Sequence, residues 1–208
     1  MTTKMIDSVT VTRSKIYKGA SRLVVDDQTG TFSSFPGAFD SVMSPTTYVL
    51  ESGLTDLGPT SEDGVTIRRE AEVSEGIPID QRESNLDEGE PEKWAMEAEA
   101  TLLHTDLDTF QVAWEGGTKR TIAAPTAQHS LDLDAPSVFT ERMAFFIQED
   151  VKESKLRLFA FRKAIPQVES EVALKGSEAT GLPIKFRLKA DETVAEGSGQ
   201  FGKIFEID

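Results

Sequence analysis

Apolar and polar side chains alternate along most of this chain, and that period of two restricts it to a fold built mainly from β-strands. The stretch GVTIRREAEV at residues 64–73 shows the pattern, with Val65 and Ile67 on one face and Glu70 and Glu72 on the other. A strand places successive side chains on opposite faces of a sheet. We therefore expect one face of this strand to be buried and the other to be acidic and exposed.

The same alternation predicts roughly ten strands against a single helix. The helix is indicated by Thr105 as a candidate N-cap and by a stripe of Leu107, Phe110 and Trp114 before the triplet EGG. The predicted strands cover residues 8–17, 22–26, 65–73, 77–79, 94–100, 128–134, 139–149, 155–164, 168–174, 182–190 and 201–207. This balance predicts a mainly β protein, a β-sandwich or a barrel-like sheet, with one α-helix on its flank.

Two long loops interrupt the predicted strands of what we expect to be a single domain over residues 1–208. The first loop, at about residues 28–50, is rich in Ser, Pro and Gly. It nevertheless carries Phe32, Phe35 and Phe39, which a solvated linker would not need, so we expect it to pack on the protein. The second loop, at residues 83–92, is acidic and is expected to be solvated.

The net charge of −14 makes nucleic-acid binding through phosphate neutralisation a poor hypothesis, because that affinity comes from clustered Lys and Arg. Acidic side chains are concentrated between Glu62 and Glu99, where thirteen acidic residues stand against four basic ones. Residues 152–165 carry five basic residues and one acidic residue. These two regions could attract each other between copies of the chain. The chain has no cysteine, so it forms no disulfide or thiolate metal site, and no apolar stretch is long enough to span a membrane.

Three patterns that could carry chemistry have simpler explanations. GSGQFG at residues 197–202 fits the spacing of a dinucleotide-binding loop, but only six residues follow it and no helix can form there, so we predict a hairpin turn. His104, Asp106 and Asp108 could be metal ligands, but the two aspartates point about 200° apart on a helix. His129 stands alone. We predict no catalytic residue, no cofactor and no metal site, and the protein is not expected to be an enzyme.

The run TDLGPTSEDGVTIRREAEVSEGIPIDQ at residues 55–81 resembles the N-terminal half of the major tail proteins, or tail tube proteins, of long-tailed bacteriophages. A TDLG turn, a DGV strand and a strand ending in DQ recur together in that family. The similarity continues at residues 92–114, 156–167 and 181–208, in the expected order and over more than half of the chain. The chain departs from the family pattern at residues 31–48 and in the 83–92 loop.

The resemblance implies a structural virion protein that forms hexameric rings, which stack into a tube for the passage of DNA into the host. Each subunit would contribute about four strands to a continuous barrel shared between subunits. About twenty-four strands spaced 4.8 Å apart give a circle of roughly 37 Å in diameter, which leaves room for a duplex of about 20 Å. The partners would be further copies of the chain and other tail proteins, namely the tape measure, terminator and distal tail proteins. The protein would be made in the cytoplasm of the host bacterium and would reside in the virion.

A tube of this kind needs a lumen and contacts between rings, and the sequence offers candidate residues for both. No contact between rings is carried over from the family, because the chain departs from its pattern in both long loops. An acidic wall would repel phosphate, and DNA would pass without specific binding. The candidates for lining the lumen are Glu70, Glu72, Glu97 and Glu99. Arg68 shares their face. The candidates for stacking one ring on the next come from the two long loops, and they are Phe32, Phe35, Phe39, Asp87, Glu88 and Glu90.

Several alternatives remain open at this point. The chain could be a tail-completion ring that does not polymerise, or the tube protein of another injection machine. A carbohydrate-binding or hydrolytic β-sandwich is a more distant alternative, because two Trp and two Tyr provide few rings for a sugar platform. A small-molecule binding module would leave no trace in the sequence.

Overall fold

The computed structural model describes residues 21–73, 91–103, 106–115, 117–122, 128–133, 139–150, 155–167 and 181–207. Within these residues the protein is mainly β, as predicted, with one α-helix. The strands are β1 (Ser21–Asp26), β2 (Leu54–Val73), β3 (Pro91–Leu102), β4 (Lys119–Ile122), β5 (Gln128–Leu131), β6 (Arg142–Asp150), β7 (Lys155–Gln167), β8 (Leu182–Lys189) and β9 (Gly202–Ile207). The helix α1 (Leu107–Ala113) follows β3 and precedes β4 along the chain.

Six of the strands close into an antiparallel barrel. Their order is β6-β1-β2-β3-β8-β7, and β7 pairs again with β6 to complete the circuit. One edge of β7 is shared, because residues 163–167 pair with β8 while residues 156–161 pair with β9. Strand β9 is therefore attached beside the barrel through β7, and the barrel closes without it. Strands β4 and β5 form a separate two-stranded sheet.

Apolar side chains from every second position fill the barrel. Phe146 lies at the centre, with ring centroids 6.0 Å from Phe161 and 6.3 Å from Phe186 in edge-to-face contacts. Val112 and Ala113 of helix α1 are buried in the same cluster, so the helix closes off part of the barrel interior. This core is the buried face that the period of two predicts.

A second apolar cluster lies on the outside of the barrel, beneath the loop that joins β1 to β2. Phe39 lies in a short 3-10 helix of that loop and packs on Phe145 and Leu158 of β6 and β7. Strand β1 is consequently buried on both faces: Leu23 points into the barrel and Val24 points toward the loop. The prediction that the 28–50 loop packs on the protein is confirmed.

Strand β2 differs most from its prediction, since it has 20 residues and includes the segment that the sequence suggested was a TDLG turn. Glycines allow this, because Gly58 and Gly64 adopt φ values of 90° and 72°, which side-chain-bearing residues rarely adopt. The pairing with β3 shifts register between Thr60 and Val65. The segment is thus an irregular, bulged strand and not a chain reversal.

Smaller corrections concern the helix and the strand ends. The N-cap is Asp106 and not Thr105, because the Asp106 carboxylate accepts a hydrogen bond of 2.8 Å from the backbone N–H of Thr109. Strand β7 runs three residues beyond its predicted end at Ala164, and β4 was not predicted. The strands predicted at residues 8–17, 77–79 and 168–174 lie outside the described residues, as does the acidic 83–90 segment.

Candidate functional site

Strands β2, β3 and β8 present a face of charged and small side chains on the outside of the barrel. In register, Arg68 of β2 lies opposite Glu97 of β3, which in turn lies opposite Arg187 of β8. Glu99 likewise lies opposite Lys185. We call this surface the charged face, and its members are Thr66, Arg68, Glu70, Ala95, Glu97, Glu99, Thr101, Lys185 and Arg187.

The structure brings three of the four predicted lumen residues together on the charged face. Glu70, Glu97 and Glu99 all point away from the barrel core, on the side opposite Ala98 and Ala100. Glu72 pairs with Lys93 in the backbone register of β2 and β3, and the structure does not describe its side chain. That these residues line a lumen remains a prediction.

The charged face is of mixed charge and not acidic, because β8 adds two cations that the sequence analysis did not place there. The Lys185 ammonium lies 3.0 Å from a carboxylate oxygen of Glu97 and 3.3 Å from one of Glu99. The hydrogen bond to Glu97 raises the pKa of Lys185 above its ordinary value of 10.5, and Glu99 adds to that increase. Three glutamates and three cations therefore share the face among the described side chains.

The alternating sequence LPIKFRLK at residues 182–189 was the one feature of the sequence that could have indicated these two cations. It placed Lys185 and Arg187 on one side of a predicted strand. It could not show that this strand lies beside β3, because the two strands are separated by about eighty residues of chain. The pairing partner, and with it the charge of the face, is a long-range property of the fold.

The phenylalanines predicted to stack rings are engaged within their own subunit. Phe39 is only 4% exposed, so it offers no surface to a neighbouring molecule in this conformation. The ring of Phe32 makes an edge contact with Phe145 at 5.6 Å, and the guanidinium of Arg162 lies 3.9 Å above the ring of Phe35. A stacking role for the partly buried Phe32 and Phe35 remains a prediction. The other candidates, Asp87, Glu88 and Glu90, lie outside the described residues.

An apolar cleft of about 620 Å³ opens between the end of the β2–β3 pair and strand β9. Its walls are continuous with the barrel core through Phe159 and Phe161. The apolar cleft, as we call it, is also lined by Ile67, Trp94, Met96, Phe201 and Ile204. Trp94 is 45% exposed, with the guanidinium of Arg69 4.0 Å from its ring centroid, and Ile204 is 67% exposed. Arg69, Glu196 and Lys203 also line the cleft, so charged side chains stand among its apolar ones. No local pattern in the sequence indicates this surface, because its residues come from four different strands.

Charged side chains hold the β9 wall of the cleft in place. The Arg157 Nε donates a 2.6 Å hydrogen bond to Glu206, and the Lys155 ammonium donates another of 2.9 Å. These bonds, that from Arg157 first, lower the pKa of Glu206 below its ordinary value of 4.5. Above pH 4.5 the ionised Glu206 therefore favours the folded protein, and this contribution is lost as the pH falls through the lowered pKa.

Replacing Glu206 with glutamine is expected to reduce the loss of stability on acidification. The wild-type carboxylate must take up a proton below pH 4.5 and then loses its bonds to Arg157 and Lys155, whereas the amide does not titrate. The measurement is the urea midpoint of both proteins at a series of pH values on either side of 4.5. Parallel curves for the two proteins would contradict the assignment.

The patterns that resembled catalytic motifs have structural roles. Asp106 caps helix α1, and both carboxylate oxygens of Asp108 accept hydrogen bonds of 2.8 Å from Lys119. Gly197 and Gly199 lie in the turns before β9, and Gly202 lies in β9 against the carbonyl of Ala160, where a side chain would collide. In the part of the chain that the structure describes, no three His, Cys, Asp or Glu side chains are grouped to hold a metal ion.

The predicted hairpin at residues 197–202 is corrected in one respect. The chain turns at residues 191–200, just before and into this segment, with backbone hydrogen bonds from Val194 to Asp191, from Ser198 to Ala195 and from Asp191 to Gln200. The strands on either side of it, however, do not pair with each other. Both β8 and β9 pair with β7, one after the other along the same edge. The turn is therefore a link between two neighbouring positions on β7.

A scan against protein-family models and a search of curated proteins both found no match for this chain. Among the described residues, no helix has the length and apolar character needed to cross a membrane. The class defined by the geometry is a closed antiparallel β-barrel protein with a charged outer face and an exposed apolar cleft.

Proposed function

We propose that this protein is the subunit of a bacteriophage tail tube. Copies would assemble into hexameric rings, and the rings would stack around a channel through which DNA passes into the host. The protein acts as a building block and catalyses no reaction. It resides in the virion, where its partners are further copies of itself and the other tail proteins.

The main support is the pairing of charges on the outward face of β2, β3 and β8. A channel wall for DNA must not bind phosphate, and cations that are free to neutralise phosphates would do so. On the charged face Arg68, Lys185 and Arg187 each lie beside a glutamate of β3. On such a wall each of these cations lies next to a carboxylate, and Lys185 is bonded to two of them.

Two further surfaces support self-association. Strand β9 pairs with β7 along one edge, and its other edge has no partner strand among the residues described. Unpaired edges and exposed apolar patches are normally covered in a functional protein. Trp94 and Ile204 expose such a patch at the apolar cleft, next to β9. A neighbouring copy that docks there covers both surfaces, and a head-to-tail contact of this kind between rings continues into a filament.

Negative-stain electron microscopy of the concentrated, purified chain tests the proposal. We expect rings of six subunits and stacked tubes with a central channel. Rings that never stack would favour the alternative of a non-polymerising tail-completion ring. Particles that remain monomeric at every concentration and salt condition would contradict both proposals.

A further inference from the structure

Glu97 lies on the middle strand of the charged face and has cations on the strands at both of its sides. Arg68 lies opposite it on β2, and Arg187 lies opposite it on β8. The Lys185 ammonium lies 3.0 Å from its carboxylate and bridges to Glu99 at 3.3 Å. Opposite charges that face each other across neighbouring strands attract, and each such pair stabilises the sheet modestly.

We infer that Glu97 and Glu99 act on DNA indirectly: they bind Lys185 and offset the charges of Arg68 and Arg187, which lie opposite Glu97, so that the face has little net charge and does not repel DNA. This inference rests on the proposed function, because it concerns how the charged face treats DNA in the channel. It changes the role of the two glutamates from repelling DNA to masking specific cations.

The geometry favours masking over repulsion. An acidic wall would require the glutamates to outnumber the cations, and on the described part of the charged face three stand against three. The raised pKa of Lys185, caused first by its hydrogen bond to Glu97, is a second sign that the ammonium is engaged by these carboxylates. A masked cation gains little by exchanging a carboxylate for a phosphate.

Repetition makes the masking important. In a ring of six subunits any unmasked cation set would occur six times around the channel, and weak contacts that act together produce strong retention. The logarithm of the DNA affinity falls linearly with the logarithm of the salt concentration. Each phosphate contact makes this slope steeper by about 0.9. Unmasking two or three cations per subunit should therefore be measurable even on separate subunits.

The test compares the double variant Glu97→Gln/Glu99→Gln with the matched control Glu51→Gln/Glu192→Gln. Both remove two negative charges, the first from the half-buried Glu97 and Glu99 of the charged face and the second from the exposed Glu51 and Glu192 away from it. Binding of a short fluorescent DNA duplex is measured by anisotropy over a range of salt concentrations. We expect the first variant to bind the duplex at least about fivefold more tightly than the control at low salt. Its plot of log affinity against log salt concentration should be steeper by about 2.

A third variant separates masking from simple loss of acidity. Adding Lys185→Gln to the double variant should remove a large part of the gained affinity, since it removes one of the unmasked cations. In parallel, the acylation rate of Lys185 is measured by mass spectrometry, and it should rise in the double variant because the ammonium loses both carboxylate partners. Equal DNA binding by the double variant and the control would overturn the inference.

Failure of the masking inference can be distinguished from failure of the tail tube proposal. If tubes form but the double variant binds DNA no better than its control, the masking inference fails alone. If the protein never forms rings or tubes while the double variant gains DNA affinity, the tube proposal fails and the masking of the cations stands as a property of the subunit.

Discussion

Replacing Ile204 with lysine is expected to weaken assembly strongly while leaving the subunit folded. Ile204 is 67% exposed, so the substitution removes little from the core of the subunit. If a neighbouring copy covers the apolar cleft, burying this side chain stabilises the contact by about 1.5–3 kcal/mol. Loss of that contact alone raises the protein concentration needed for assembly by roughly 10- to 100-fold. A lysine also leaves a charge at the interface, so the effect should lie at the upper end of that range or beyond it.

Leu133→Lys is the matched control, because Leu133 is also 67% exposed but does not line the cleft. Both substitutions add one positive charge to a chain of net charge −14, so both slightly weaken the general repulsion between copies. Assembly is measured by negative-stain microscopy and sedimentation, and folding by circular dichroism. If Ile204→Lys assembles as well as Leu133→Lys, the apolar cleft is not a contact between copies.

Replacing Phe146 with alanine is expected to destabilise the folded protein by about 3–5 kcal/mol. Phe146 is almost completely buried and contacts both Phe161 and Phe186, which belong to two different strands of the barrel. Its removal leaves a cavity that these neighbours cannot fill without breaking their own packing. The measurement is the free energy of unfolding from urea titration. For a chain of this length the melting temperature should fall by at least about 6 °C.

Phe139→Ala removes the same side chain from a position that is 52% exposed, and it serves as the control. Surface substitutions of this kind usually change the stability by less than about 0.5 kcal/mol. Similar losses for the two variants would show that the barrel interior is not the main source of stability, contrary to its burial pattern.

The fold class follows from the sequence because strand periodicity is a local property. The alternation around Val65 and Ile67 indicates a half-buried strand whatever the rest of the chain does, and the helix stripe of Phe110 and Trp114 is equally local. The packing of Phe39 was also predictable, since an apolar ring in a polar loop needs a place to bury itself. These elements are confirmed, although β2 begins eleven residues before its predicted start at Val65.

The candidate site was less accessible to sequence reasoning, because it depends on which strands lie side by side. Glu97 and Glu99 were identified from one strand, while the cation that binds both of them lies on β8. The apolar cleft combines residues of β2, β3, β7 and β9, and no stretch of the chain shows it. The length of β2 could not be predicted either. The strand is bulged near Gly58 and Gly64, and glycine and proline near a strand normally suggest a turn.

The shared edge of β7 means that the six-strand circuit stays closed when β9 is released. The barrel circuit closes through β6 and β8, so releasing β9 breaks its ladder with residues 156–161, the bonds from Arg157 and Lys155 to Glu206, and the packing beneath it, but no strand pair of the barrel. Local opening of such a peripheral strand requires less free energy than global unfolding. A subunit could thus lend β9 to an adjacent molecule and receive another copy's β9 in return, which would lock neighbours together by strand exchange while each barrel stays whole.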